Sequence, residues 1–337
     1  MPAALPEPDD GTLDAVVIGG GPGGLTGALY LARFRRRVLV IDSGNSRVAN
    51  IPCSHNYPGF PRGVAGTALL HSMRQQVGRH EVPIRSGHVD SVQRSDGVFT
   101  LEGTPFGECR ARTVLLATGA ADVWPDLPAA AEALRDGVLR FCPVCDGYEA
   151  SDRSVGVLTN GSAGVHEALY LRHFTPKVTV FLCADDVVLT ADELRSLRDA
   201  GVAVAEAPPS AFSRTDGGVT VTHGDKRSTC SAVYSSFGLN VRSRLALMIG
   251  AACDASGYLV VDEHHRTSVE GLYAVGDVAK GLNQISVATG GAAIAASAMH
   301  LALRQMKPWR PSAFWRRATV WRLPRRDSTQ PTPTPTP

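Results

Sequence analysis

The sequence has almost no net charge: 34 Lys and Arg against 32 Asp and Glu leave +2, which excludes nucleic-acid binding by the chain as a whole. It also lacks a long apolar run. No stretch approaches the ~18 consecutive apolar residues that cross a bilayer, so no membrane span is expected. Residues 1–12, rich in Pro and acid, have neither the cationic start nor the apolar core of a secretory signal, and are expected to be disordered. A cytoplasmic protein is expected. Cysteine is sparse and scattered: Cys53, Cys109, Cys183, Cys230 and Cys253 stand singly. A structural zinc site needs four ligands, usually from a second Cys-x-x-Cys or a His pair, so no metal is expected.

What is present is one close pair, Cys142-Pro143-Val144-Cys145-Asp146-Gly147. One helical turn between two cysteines brings the sulfurs within disulfide distance, and a helix start lowers a thiol pKa. In a cytosolic chain such a bond is normally catalytic or sensing rather than structural. The pair therefore reads as redox-active, with Asp146 as a carboxylate beside it.

Upstream, an apolar strand over 13–18 enters Gly19-Gly20-Gly21-Pro22-Gly23-Gly24, a helix follows over 25–34, and a second apolar strand ends on Asp42. Strand, glycine turn, helix, strand and acid in this order form a dinucleotide-binding unit. Gly19, Gly21 and Gly24 fill the G-x-G-x-x-G pattern, the helix start faces a pyrophosphate, and Asp42 is placed for ribose hydroxyls. A helix over 67–78 and short strands within 82–101 predict a small antiparallel insert. A buried strand from Thr113 then ends in Thr118, Gly119 and Ala120, where a nucleotide would lie against backbone.

The pattern restarts after residue 128 with a strand over 154–158, a turn at Thr159-Asn160-Gly161, a helix over 165–174 and a strand over 178–182. Thr159 stands where the first glycine belongs, and a β-branched residue resists the conformation that glycine supplies there. Leu182-Cys183-Ala184 offers no cation for a 2′-phosphate. Further strands are expected within 202–221, at 232–237, around 259–261 and at 272–275, then a small-residue helix over 284–299. Asp277, after the 272–275 strand, is either a hydroxyl acceptor or a cap. Residues 304–337 hold eight Lys or Arg against the single acid Asp327, with Trp309, Trp315 and Trp321 among them.

Taken together these motifs resemble the low-molecular-weight thioredoxin reductase family of flavoprotein disulfide oxidoreductases, over about residues 13–303. Gly19 to Gly24 is similar to its FAD pyrophosphate loop, Asn56-Tyr57-Pro58-Gly59-Phe60 to its flavin-side loop, and Cys142 to Gly147 to its redox motif. Gly276-Asp277 and Asn283-Gln284-Ile285 sit where its second FAD segment holds the ribityl and isoalloxazine groups. The resemblance implies an α/β fold of two Rossmann-like, three-layer ββα domains. An FAD domain (13–121 and 249–303) is interrupted by a pyridine-nucleotide-type domain (122–248), and a basic tail (304–337) follows. It implies a homodimer, with Cys145 facing flavin, Cys142 exchanging with substrate and Asp146 moving the proton.

The chain departs from the family at its NADPH turn, at the His-Arg-Arg clamp, and at the flavin-side Arg-Gln pair, which reads Asn283-Gln284. The FAD and dithiol motifs are intact. The chain is thus expected to be an FAD-dependent dithiol/disulfide oxidoreductase that does not use NADPH efficiently. Its partner would be a small-molecule dithiol or a thioredoxin-like protein, with oxygen, ferredoxin or a second flavin at the other end. Two readings stay open beside it: an NADPH-dependent thioredoxin reductase whose clamp is Arg195 or Arg198, and a flavin redox sensor signalling through its tail.

Overall fold

The computed structural model describes residues 11–125, 130–184 and 186–306. The tail with Trp309, Trp315 and Trp321, and the expected disorder of residues 1–12 save for the last two, lie outside them.

The first strand, β1 (Leu13–Ile18), is apolar enough to be buried on both faces, and it lies parallel between β2 (Val38–Asp42) and β6 (Gly107–Leu116). Helix α1 (Pro22–Arg33) connects β1 to β2 as a crossover. After α2 (Gly66–Gly78), β3 (Ile84–Ser86) adds in parallel to β2. The segment 82–86 is thus part of the parallel sheet, not of the antiparallel insert. The insert itself is β4 (His88–Ser95), β5 (Val98–Thr104) and the first half of β6, paired antiparallel.

On the edge away from β1, strand β6 serves two neighbours. Residues 107–111 pair with β5, and residues 114–116 pair in parallel with a strand that arrives much later in the chain.

From β6 the chain leaves through β7 (Ala120–Asp122) into a second sheet. There α3 (Ala130–Arg135), β8 (Leu139–Arg140), α4 (Pro143–Asp146), β9 (Val155–Thr159), α5 (Ser162–Leu171), β10 (Val178–Leu182), α6 (Ala191–Asp199) and β11 (Ala203–Val204) follow in turn. Strands β12 (Pro209–Thr215), β13 (Gly218–His223) and β14 (Lys226–Cys230) form an antiparallel layer. Strand β15 (Ala232–Ser236) then completes a parallel sheet of order β11-β10-β9-β15-β8. One face of this sheet buries Val155, Val157 and Val180 against α5; the other buries Leu158, Phe181 and Val233 against Val219 and Val221 of β13. Sheet, helix and antiparallel layer make the expected three-layer arrangement.

The chain returns through β16 (Leu239–Val241), antiparallel to β7. In α7 (Arg244–Met248), Leu245 and Ala246 already bury in the first core with Val16 and Leu116, so the return precedes the boundary drawn at residue 248. The expected strand around 259–261 does not form. Leu259 makes only isolated bridges to Cys253 and Ala279, because no continuous edge lies beside it. Strand β17 (Leu272–Ala274) is the late neighbour of β6, and α8 (Ile285–Met306) closes the first domain.

Contrary to the expectation that no apolar stretch reaches that length, α8 is long and apolar enough by length and composition to cross a membrane. Here it packs against α1 through Ala292, Ala295, Ala296 and Met299, which are buried. Small side chains on α8 let it approach α1 closely, and Gly27 lets α1 approach β6. A Cβ at Gly27 would stand 2.3 Å from Leu115.

Candidate active site

Helix α4 is a single turn with Pro143 at its start and Cys142 as its cap, whose Sγ accepts from the Cys145 N–H at 3.1 Å. That turn brings Cys142 and Cys145 together, and they are joined as a disulfide. The bond faces the first domain. Gln284 Nε2 lies 3.3 Å from Cys145 Sγ and 3.5 Å from Cys142 Sγ. Gln284 Oε1 accepts from Asn56 Nδ2 at 2.9 Å, and Asn56 Oδ1 accepts from Ser54 Oγ at 3.1 Å. Two amides from separate loops of the first domain therefore hold the disulfide in the wall of one cleft.

That cleft has a volume of about 670 Å³. Of the residues singled out in the sequence, Gly19, Gly21, Asp42, Asn56, Thr118, Gly119, Cys142, Cys145, Asp146, Gly276, Asp277, Gln284 and Ile285 all line it. Gly24 lies behind it and sets its shape. A Cβ on Gly24 would fall 1.9 Å from the Gly19 carbonyl oxygen, and one on Gly19 (φ +110°) would fall 2.3 Å from that of Ala117. These two positions tolerate only glycine.

The start of α1 carries no capping side chain and no acid in its first turn. Its N–H groups are left for an anion, as a pyrophosphate requires. The cradle, the bare helix start and the volume of the cleft fit FAD.

Three of these residues hold partners that the sequence does not announce. Asp42 accepts from the Gly44 N–H at 3.0 Å and from Arg74 at 2.9 Å, so it is already paired while facing the cleft. Thr118 Oγ1 donates to the Arg242 carbonyl at 2.7 Å, tying the end of β6 to the returning chain. Asp277 is ion-paired with Arg47 at 3.2 Å. Burial raises its pKa, and Arg47 opposes that rise. Nothing in the pattern around Arg47 singles it out, because a lone cation in a loop has no periodic or spaced partner.

Asp146 sits one turn from Cys142, with Oδ1 buried and without a hydrogen bond. Burial pushes its pKa up to about 6, against the pull of Arg140 and Tyr234. Arg140 Nη1 is 3.8 Å from Asp146 Oδ1 and donates to the Asp146 carbonyl at 3.0 Å, while the Tyr234 hydroxyl donates to the same carbonyl at 3.2 Å. Arg140 and Tyr234, which sequence reasoning missed, anchor the Asp146 backbone and only partly offset the effect of burial on its carboxyl.

At the second Rossmann turn, Thr159 is the last residue of β9 and keeps a negative φ, so the β-branched residue is not strained there as the glycine pattern suggested. Its Oγ1 donates to the Gly161 carbonyl at 3.0 Å and accepts from the Gly161 N–H at 3.1 Å. The Thr159 side chain also occupies the space above Gly164, where a Cβ would meet it at 2.3 Å. Cys183, at the tip of β10, is half-buried, and burial pushes its thiol up to about 11. Arg195 is exposed on α6 and pairs with Asp192 at 3.2 Å; Arg198 is exposed on the same helix.

The family profile of the pyridine nucleotide-disulphide oxidoreductases matches residues 13–292. The thioredoxin reductase of Treponema pallidum (strain Nichols) is 32% identical over 296 residues, covering 85% of this chain and 95% of that protein. Among solved structures, HlmI superposes with a TM-score of 0.81 at 33% identity, covering 88% of this chain and 95% of that one. The thioredoxin reductase from Streptococcus pyogenes MGAS5005 superposes with a TM-score of 0.80 at 27% identity, covering 88% and 100%. With its cleft, its glycine cradle and its disulfide turn, the chain belongs to the pyridine nucleotide-disulphide oxidoreductase family, as a thioredoxin-reductase-like flavoprotein disulfide oxidoreductase.

Proposed function

We propose that this chain passes electrons between a dithiol substrate and FAD through Cys142 and Cys145, and that NADPH is not its efficient reductant. The observation that carries the first half is the disulfide held in the FAD cleft by Gln284. The second half rests on Thr159 standing in the place of the turn's first glycine and on the absence of a cation at 182–184.

In the oxidising direction, a substrate thiolate attacks Cys142 Sγ, forming a mixed disulfide and releasing the Cys145 thiolate. The second substrate thiolate then attacks the substrate sulfur of that bond. The substrate leaves as a disulfide, Cys142 leaves as a thiolate, and two electrons remain on the enzyme pair. Asp146 takes the proton that each substrate thiol must lose and returns it when the pair is protonated. Cys145, nearer to Gln284, is the sulfur that faces the flavin. Bound FAD supplies the two-electron couple that the dithiol needs. Gly19, Gly21 and Gly24 with the start of α1 would hold its pyrophosphate, Asp42 a ribose, and Thr118, Gly119, Gly276, Asp277, Asn56 and Ile285 its flavin half.

The substrate is a small-molecule dithiol or a thioredoxin-like protein, and electrons leave to or come from oxygen, ferredoxin or a second flavin. A cytoplasmic homodimer, with the FAD domain in two pieces around the inserted one, is part of the same reading. The relatives that bear the name thioredoxin reductase favour a second reading, NADPH-dependent reduction of thioredoxin. An anaerobic titration following flavin absorbance separates the two. Under our reading a dithiol such as dithiothreitol bleaches the flavin rapidly while NADPH and NADH do not; fast bleaching by micromolar NADPH supports the second reading and ends ours.

A further inference from the structure

Arg47 begins a short helical turn after β2 and spreads its guanidinium over two carboxylates. Nε lies 3.0 and 2.9 Å from the two Asp122 oxygens, Nη2 lies 2.6 Å from Asp122 Oδ1, and Nη1 lies 3.2 Å from Asp277 Oδ2. Asp122 ends β7, the strand by which the chain leaves the first sheet, and Asp277 lines the cleft. The Asp122 side chain is only 6% exposed. Two residues upstream, the Asn45 carbonyl accepts from Arg242 at 3.0 Å, just past β16, by which the chain returns. Residues 45–47 thus grip both crossings between the sheets. The positive charge of Arg47 also reaches Glu167 on α5 of the second sheet, where it opposes the upward push of burial on that carboxyl.

We infer that Arg47 is a positioning residue, locking the β7 crossing to the cofactor cleft so that the second sheet presents Cys142 and Cys145 to Gln284. The inference rests on the flavin-dithiol reading of the cleft, but its test does not depend on electron transfer. Among the described residues, the hydrogen bonds between the α4 turn and the first domain come from two amides, Gln284 and Asn56, the latter reaching the Val144 carbonyl at 3.5 Å. Such contacts need an orientation held elsewhere. A planar fork that takes one carboxylate in bidentate fashion and reaches a second is a task for Arg, and Lys cannot reproduce it. Without Arg47, Asp122 and Asp277 face each other as like charges, and the crossing is pushed from the cleft.

The test is pulsed alkylation of the FAD-loaded, phosphine-reduced protein with N-ethylmaleimide, resolved by peptide mass spectrometry. Exposed Cys253 serves as the internal reference. Arg47→Met and Asp122→Asn should each raise the labelling of Cys142 and Cys145 relative to Cys253 by about fivefold, with Arg47→Lys in between, as expected when a local opening becomes populated. Ratios within about twofold of the unsubstituted protein in folded Asp122→Asn and Arg47→Lys would overturn the inference, even if FAD binds more weakly. Should Arg47→Met fail to fold, these two variants still decide it. A flavin that no dithiol reduces, with labelling raised as expected, would end the proposed function and leave the lock standing.

Discussion

At the scale of single residues, Asp146 is the group whose environment is most plainly turned to chemistry. Its side chain is 30% exposed, its Oδ1 is buried without a hydrogen bond, and burial pushes its pKa up to about 6, where a proton can be given or taken near neutral pH. Dithiol oxidation needs its ionised form. The rate of disulfide exchange should therefore rise with pH through about 6, and Asp146→Asn should slow it by about 10²-fold and abolish that limb. A stopped-flow pH profile of both proteins checks this; an unchanged limb in the variant would assign the proton to another group.

Sequence reasoning found Asp146 because it follows a spaced cysteine pair. It missed Arg47 and Tyr234 because their partners lie far away in the chain: Asp277 is 230 residues from Arg47, and Asp146 is 88 from Tyr234. Contacts of that span leave no local pattern to read.

At the scale of elements, the turn between β1 and α1 tolerates least. Gly24→Ala would drive a methyl group into the Gly19 carbonyl, and neither atom belongs to a flexible side chain. We expect a loss of about 2–4 kcal/mol in stability or the failure of the protein to retain FAD, read by thermal melting and by the flavin-to-protein absorbance ratio. This turn was legible because strand, glycines, helix and acid are consecutive. The second turn was legible only in part. Its position was right, but the sequence did not show that Thr159 keeps an extended backbone and turns its hydroxyl onto Gly161. Rotamer and hydrogen bond, not residue type, decide that geometry.

Helix α5 carries a second consequence. Glu167 has an Oε2 buried without a partner, and burial pushes its pKa up to about 7, opposed by Ser236 and Arg47. A carboxyl raised above its unfolded value of about 4.3 favours the folded state fully below that value. The favour is lost as pH rises through about 7. Glu167→Gln stays neutral throughout, so its melting temperature should match that of the unsubstituted protein near pH 4 to 5 and exceed it by about 2 °C at pH 8. A gap that does not widen with pH would show that the ionised carboxylate is not costly there.

At the scale of the molecule, the architecture divides labour. The seven-stranded sheet supplies the cradle, while the five-stranded sheet carries the disulfide on a one-turn helix that lines the cleft. Both sheets were legible from alternating apolar runs and turns. The point at which the chain returns was not, because Leu245 and Ala246 join the first core through packing with strands far off in sequence. The long α8 read as shorter than it is, since its last turns carry charge and expose Leu301.

Relative potentials then set the direction of flow, and about 30 mV on a dithiol couple is only about 1.4 kcal/mol. The central claim is that electrons cross between the flavin and the sulfurs of α4. Anaerobic mixing of the FAD-loaded protein with dithiothreitol tests it most directly, comparing the unsubstituted chain with Cys145→Ser while following flavin absorbance. The account predicts rapid bleaching in the first and none on that timescale in the second, with FAD still bound. Equal rates of bleaching in both would contradict it.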